Sequence, residues 1–201
     1  MQVEPVTLVG KIIRLERLSE AHISGLSKVG LEPEIWRYMR YGRVDTAAQL
    51  GSWVRELLEL QARGTDLPFT VIHQDTGNPI GCTRYLDIDR VNRAVEIGGT
   101  WYGVEYQGTL VNSECKYLLL RHAFEELGCI RVWFKTDLRN QRSQYALENL
   151  GAVKEGVLRH HMLLPDGHIR DSVVYSILPE EWPAIKLKLE IKIKASEGIN
   201  K

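Results

Sequence analysis

Three short stretches carry residue types at spacings that can do chemistry. The first is Glu96-Ile97-Gly98-Gly99-Thr100-Trp101-Tyr102, where a carboxylate stands just ahead of paired glycines in a strand-like run. Two glycines inside a strand weaken it and mark a bulge or a close backbone approach. A plain kink is the equal alternative. The second is Gln107-Gly108-Thr109-Leu110-Val111-Asn112, a glycine turn that feeds a helix. A helix start leaves amide N–H groups unpaired, and the helix dipole adds partial positive charge there. Together they make a seat for a phosphate, although a lone glycine at this place is more often a simple turn. The third is Asn140-Gln141-Arg142-Ser143, with asparagine and serine three apart at a helix start. Ordinarily these are an N-cap and a first-turn polar residue. His160 and His161 are also adjacent, but neighbours on a strand point to opposite faces. At most one can enter a site, and no second ligand set accompanies them.

The elements that must position these residues follow from period and punctuation. Thr7 to Leu18 alternates from Ile13 onward and predicts a first strand. Ser19 caps a short helix over Glu20 to Val29, and Leu31 to Arg43 is aromatic and basic with no clean period. Thr46 is an N-cap for a long helix through Arg63, with Leu50, Trp53, Val54, Leu57, Leu58 and Leu60 at helical spacing. Leu67 to His73, Ile80 to Ile88 and Ala94 to Tyr102 read as three antiparallel strands joined by turns. The helix after Gly108 carries Val111, Cys115, Leu118, Leu119, Leu120, Ala123, Phe124 and Leu127. Cys129 to Thr136 is a buried strand, and a helix over Asn140 to Leu150 stops at Gly151. Ala152 to Leu164 and His168 to Leu178 flank Pro165-Asp166-Gly167, a strong hairpin signal. The tail after Trp182 fits two patterns. Ile185, Leu187, Leu189, Ile191 and Ile193 alternate as in a strand, while Trp182, Ile185, Leu189 and Ile193 share one helix face. Glu180, Glu181 and Pro183 suit a first helical turn, and helix is the reading adopted.

Composition narrows the function. The 201 residues predict one domain, with a core over about 7–182 and a tail over 183–201. Lys+Arg and Asp+Glu are both 26, and this balance argues against a nucleic-acid partner. Cys82, Cys115 and Cys129 are too few and too scattered for a disulfide framework or a zinc site, so they read as reduced core residues of a cytoplasmic protein. No signal-peptide pattern and no long apolar run is visible, so no membrane partner is expected.

The order of elements, together with two motifs, resembles the GNAT acetyltransferases, and more closely their RimJ/RimL-like branch. The resemblance runs from Thr7 to about Trp182. Its motifs are Val111-Asn112-Ser113-Glu114 with Lys116 to Glu125, and Asn140 to Ala152 with Ser143, Leu147 and Gly151. In the turn itself only Gly108 matches the general family pattern; Glu105 and Leu110 depart from it. The resemblance implies an α/β (α+β) GNAT fold. Its sheet is mixed, mostly antiparallel, seven-stranded and flanked by helices, and it splays between the fourth and fifth strands. It implies acetyl-CoA as co-substrate, with no metal, and direct transfer to a primary amine. Trp101, Tyr102, Gln107, Gly108, Thr109, Leu110, Val111, Asn112, Asn140 and Ser143 would hold the cofactor. Many family members carry a tyrosine acid at Leu147; here Ser143, one turn earlier, would stabilise the departing thiolate.

Acyl transfer needs a base to free the amine, and Glu96, just before the bulge, is the candidate. Its bland reading is a solvated or salt-bridged strand residue. Trp36, Tyr38, Tyr41 and Trp101 are candidate lining for an acceptor cleft, with the core as the ordinary place for aromatics. The acceptor implied first is a protein or peptide N-terminal amine. A small-molecule amine, or a catalytically silent acyl-CoA-binding module, is the rival. A homodimer is compatible with the sequence.

Overall fold

The computed structural model describes residues 1–195 of the chain. Eight strands form one sheet: β1 (Leu8–Val9), β2 (Ile13–Arg17), β3 (Leu67–His73), β4 (Pro79–Asp89), β5 (Ala94–Tyr102), β6 (Arg131–Asp137), β7 (Val153–Leu163) and β8 (Ile169–Ile177). Their order is β1-β2-β3-β4-β5-β6-β8-β7. Every pairing is antiparallel except β5 with β6. Among the described residues six α-helices accompany them: α1 (Ile23–Leu26), α2 (Pro33–Trp36), α3 (Ala47–Ala62), α4 (Val111–Arg121), α5 (Gln141–Leu150) and α6 (Trp182–Ala195).

Seven strands were expected; the eighth comes from a break in the first. Gly10 donates to the Ile13 carbonyl at 2.9 Å, so Thr7 to Leu18 folds back on itself and β1 pairs with β2. Glu114 holds this turn. From the first turn of α4 its carboxylate accepts the N–H groups of Lys11, Ile12 and Ile13 at 2.8, 2.7 and 2.7 Å. Other differences from the expected elements are local. Glu20–His22 is a 3-10 turn ahead of a one-turn α1, and a short α2 interrupts the unpatterned Leu31 to Arg43. After Arg121 helix α4 loosens into a π turn, His122–Glu126. Thr46 caps α3 reciprocally with Gln49.

The two faces of the sheet carry separate cores. One holds α4, α5 and α6, with Cys115, Leu118, Leu119, Leu147, Leu150, Trp182, Ile185 and Leu189 buried. The other holds α1 to α3 and is built on Trp36, Trp53 and Trp101. The tail is helical, with Trp182, Ile185, Leu189 and Ile193 inward, and Leu187 and Ile191 exposed. This removes the strand reading for Trp182 to Ala195; the part of the tail at 196–201 lies outside the described residues.

Candidate active site

Strands β5 and β6 pair only at their beginnings: Ala94 with Arg131, Val95 with Val132, and Glu96 with Trp133. Beyond that point β5 runs on to Tyr102 and β6 to Asp137 without pairing to each other. The reason lies in β5. Its register against β4 shifts between Cys82–Trp101 and Arg84–Gly98, so two residues oppose one. Gly99 sits at φ +56°, the left-handed backbone that makes this kind of bulge a glycine position. A Cβ there would also lie 2.9 Å from the Arg84 Nε. The paired glycines are therefore a bulge rather than a plain kink, and the strands part where it bends β5 away.

Glu96 stands at the fork. Val95 and Ile97 face the α4 side, so the Glu96 side chain faces the α3 side. It is 3% exposed. Lys135 Nζ lies 3.1 Å from its Oε2 and forms an ion pair with it. Asp87, 3.7 Å from the same ammonium, adds a competing charge. Burial pushes the Glu96 carboxyl up to about 7, against the opposing pull of Lys135.

The turn after β5 is held by its own side chains. Gln107 Nε2 donates to the Tyr102 carbonyl at 2.9 Å, and Thr109 Oγ1 donates to the Tyr106 carbonyl at 2.7 Å. Gly108 has φ +78° with open space where a Cβ would stand. Leu110 is the N-cap residue of α4, without a side-chain cap. Val111 N–H reaches Thr109 Oγ1 at 3.3 Å, and the Glu114 N–H is satisfied by the Leu110 carbonyl. The Asn112 and Ser113 N–H groups have no carbonyl one turn back to receive them. Tyr102 is buried and donates to Asn112 Oδ1 at 3.2 Å. Val111 is core, with only its backbone at the helix mouth.

Across the parted strands, Asn140 caps α5 by accepting the Ser143 N–H at 3.1 Å. Leu147 is buried with the α4-side core, which accounts for an apolar residue there. Trp101 and Trp36 belong to the α3-side aromatic core, their ring centroids 5.5 Å apart, so they do not line an open cleft. Tyr41 sits at the edge of that cluster and accepts from Arg84 Nη2 at 2.5 Å. Arg84 is in turn paired with Asp66 at 3.1 Å. His160, at φ +50°, and His161 lie in a wide irregularity of β7, and His161 Nδ1 meets Ser172 Oγ at 3.0 Å. Among the described residues no group of His, Cys, Asp and Glu could hold a metal ion.

Lys135, Lys116 and Arg142 were not singled out from sequence. Lys135 is visible only once β6 is paired beside Glu96. Arg142 Nη1 donates to Gln107 Oε1 at 2.7 Å and ties α5 to the turn. Lys116 is buried between the parted strands.

A mostly antiparallel sheet parted beside an amide-lined helix mouth, with a buried carboxyl raised to about 7 at the fork, is the architecture of an acyltransferase. The Acetyltransferase (GNAT) domain family matches residues 13–153, and the chain belongs to that family as a GNAT N-acetyltransferase. It is 28% identical over 176 residues to the YdaF protein of Bacillus subtilis (strain 168), covering 85% of this chain and 89% of that one. That protein's name assigns it provisionally to ribosomal N-acetylation. A crystal structure from T. thermophilus, provisionally described as an acetyltransferase, is 39% identical with TM-score 0.86, over 96% of this chain and 99% of that one. RimL, described as a ribosomal L7/L12 α-N-protein acetyltransferase, shares the fold: TM-score 0.75 at 20% identity, over 87% of this chain and 94% of that one.

Proposed function

We propose that this GNAT enzyme uses acetyl-CoA to acetylate a protein or peptide N-terminal amine, with Glu96 as general base. The observation that carries the reading is the fork itself: β5 and β6 part directly after a buried carboxyl held at about 7. At neutral pH about half of such carboxyls are ionised, and each can take a proton from an incoming ammonium or its water. The freed amine attacks the thioester carbon; the C–N bond forms and the C–S bond breaks. Backbone N–H groups near the Gly99 bulge are candidates to receive the oxyanion.

The open edge of β5 through Trp101 and Tyr102 supplies backbone for the pantetheine amides, as an added strand would. Gln107 to Asn112 would cradle the pyrophosphate by backbone N–H groups at the start of α4. Asn140 spends its oxygen on the cap and keeps its amide N–H groups for the arm, and Ser143 would donate to the departing sulfur. The provisional name of the B. subtilis relative favours a ribosomal-protein N-terminus as acceptor, which would place the enzyme in the cytoplasm.

The test is steady-state release of free thiol from acetyl-CoA with N-terminal peptides of ribosomal proteins set beside small amines. Peptide-dependent release supports the reading. Release with small amines alone would reassign the acceptor, and acetyl-CoA binding without release for any amine would mark a silent module.

A further inference from the structure

The α4-side face of the parted strands holds a cation that the scheme above does not use. Lys116 lies in the second turn of α4 and is 8% exposed. Its Nζ donates to Thr100 Oγ1 on β5 at 3.2 Å and stands 5.5 Å from the centre of the Phe134 ring on β6. Thr100 is past the last β5–β6 pair, and so is Phe134. The ammonium thus bridges the two strands inside the gap. A buried charge ordinarily has a counter-ion, and this one has none among the described residues. Glu114, on the same helix, is spent on the amides of Lys11 to Ile13. Cys115 is held protonated by burial. From β4 and β5 come hydroxyls: Thr83 Oγ1 and Thr100 Oγ1, 2.8 Å apart, and the phenols of Tyr85 and Tyr102, which burial holds protonated. From β6 comes the apolar Phe134. The carboxylate at Glu96 faces the other side of the sheet and is paired with Lys135.

We propose that Lys116 is the positive charge that meets the thiolate of CoA as it leaves, a role that rests on the transferase reading. The reaction creates two anions in this gap in turn: the oxyanion, for which backbone N–H groups near the bulge are the candidates, and then the departing thiolate, which has no charged partner in the scheme above. When the C–S bond breaks, its electron pair goes to sulfur. The ammonium faces the new negative charge and can pass it a proton, regaining one from solvent after product leaves. Burial lowers the Lys116 ammonium from its ordinary value, which brings it closer to that of a thiol and makes it a better acid. Ser143 supplies a neutral hydrogen bond and Lys116 the charge. The pair would offset the apolar Leu147 without a tyrosine.

The test is the ultraviolet absorbance of the thiolate of bound CoA, recorded across pH as the difference between CoA-bound and CoA-free chain, so the protein's own thiols cancel. In the wild type the bound thiol is expected to ionise about one to three pH units below free CoA. Lys116→Met, of similar length beside Phe134, is expected to bind CoA and return the titration to that of the free thiol. Lys116→Arg is expected to keep part of the shift. Thr100→Val leaves the lysine in place but releases its hold, and is expected to give an intermediate shift; it decides the matter if Lys116→Met does not fold. CoA bound to Lys116→Met, or to Thr100→Val where that variant decides, with its thiol ionising as in the wild type, overturns the role of Lys116 alone. A wild-type chain that binds no CoA overturns this role and the transferase reading together.

Discussion

Two buried glutamates, Glu96 and Glu114, stand in opposite surroundings. Both are nearly inaccessible, at 3% and 2% exposure. Glu114 accepts three backbone N–H groups from one turn of chain. It joins α4 to the β1–β2 turn. Glu96 has a single ammonium beside it and a neighbouring acid that competes for that charge. It stays poised between its two protonation states. At similar depth, the two carboxyls differ in the donors around them, and in the proposed scheme one is scaffold and the other the base.

That contrast can be broken by substitution. Glu114→Ala removes the carboxylate that three amides share and is expected to cost about 3 kcal/mol of unfolding free energy. Urea denaturation measures it, and a loss below about 1 kcal/mol would remove the clamp. Glu96→Gln should have the opposite sign above neutral pH. The Glu96 carboxyl is raised from 4.5 to about 7 on folding. Its contribution to stability is complete below the unfolded value and is lost as pH rises through about 7. The glutamine variant should therefore be the more stable chain at pH 8, on the order of 2 kcal/mol, with the difference shrinking toward acid. Lys135→Met removes the charge that pulls the Glu96 value down, and the ascending limb of the pH–rate profile should move to higher pH by about one unit. An unmoved profile would detach Lys135 from Glu96. Smallest is Gly108→Ala. It has room for a methyl but not the backbone preference, so about 1 kcal/mol of stability is expected to go, together with a weaker Kd for acetyl-CoA by calorimetry.

Much of this arrangement was legible from local pattern. The strand periods, the Asp166-Gly167 hairpin, the Thr46 cap and the glycine pair before Trp101 each act over a few residues, and each is present in the fold. The parting of β5 and β6 rested on Gly98 and Gly99 together with the family likeness. What local pattern could not carry was long-range. Glu114 reads as an ordinary first-turn acid until the chain about a hundred residues earlier folds under it. Lys116 reads as a solvated helix residue until α4 packs across the gap. Lys135 reads as one member of an alternating strand until parallel pairing sets it beside Glu96. The break at Gly10 was missed because the run on either side of it kept a strand's composition.

The measurement that bears most directly on the central claim is the pH dependence of kcat/KM for thiol release, wild type against Glu96→Gln, on the best amine found. The wild-type rate is expected to climb through about pH 7 to a plateau. The variant is expected to be lower by about a hundredfold or more, with that rise absent. A variant that keeps both the rate and the rise through neutrality would contradict Glu96 as the base.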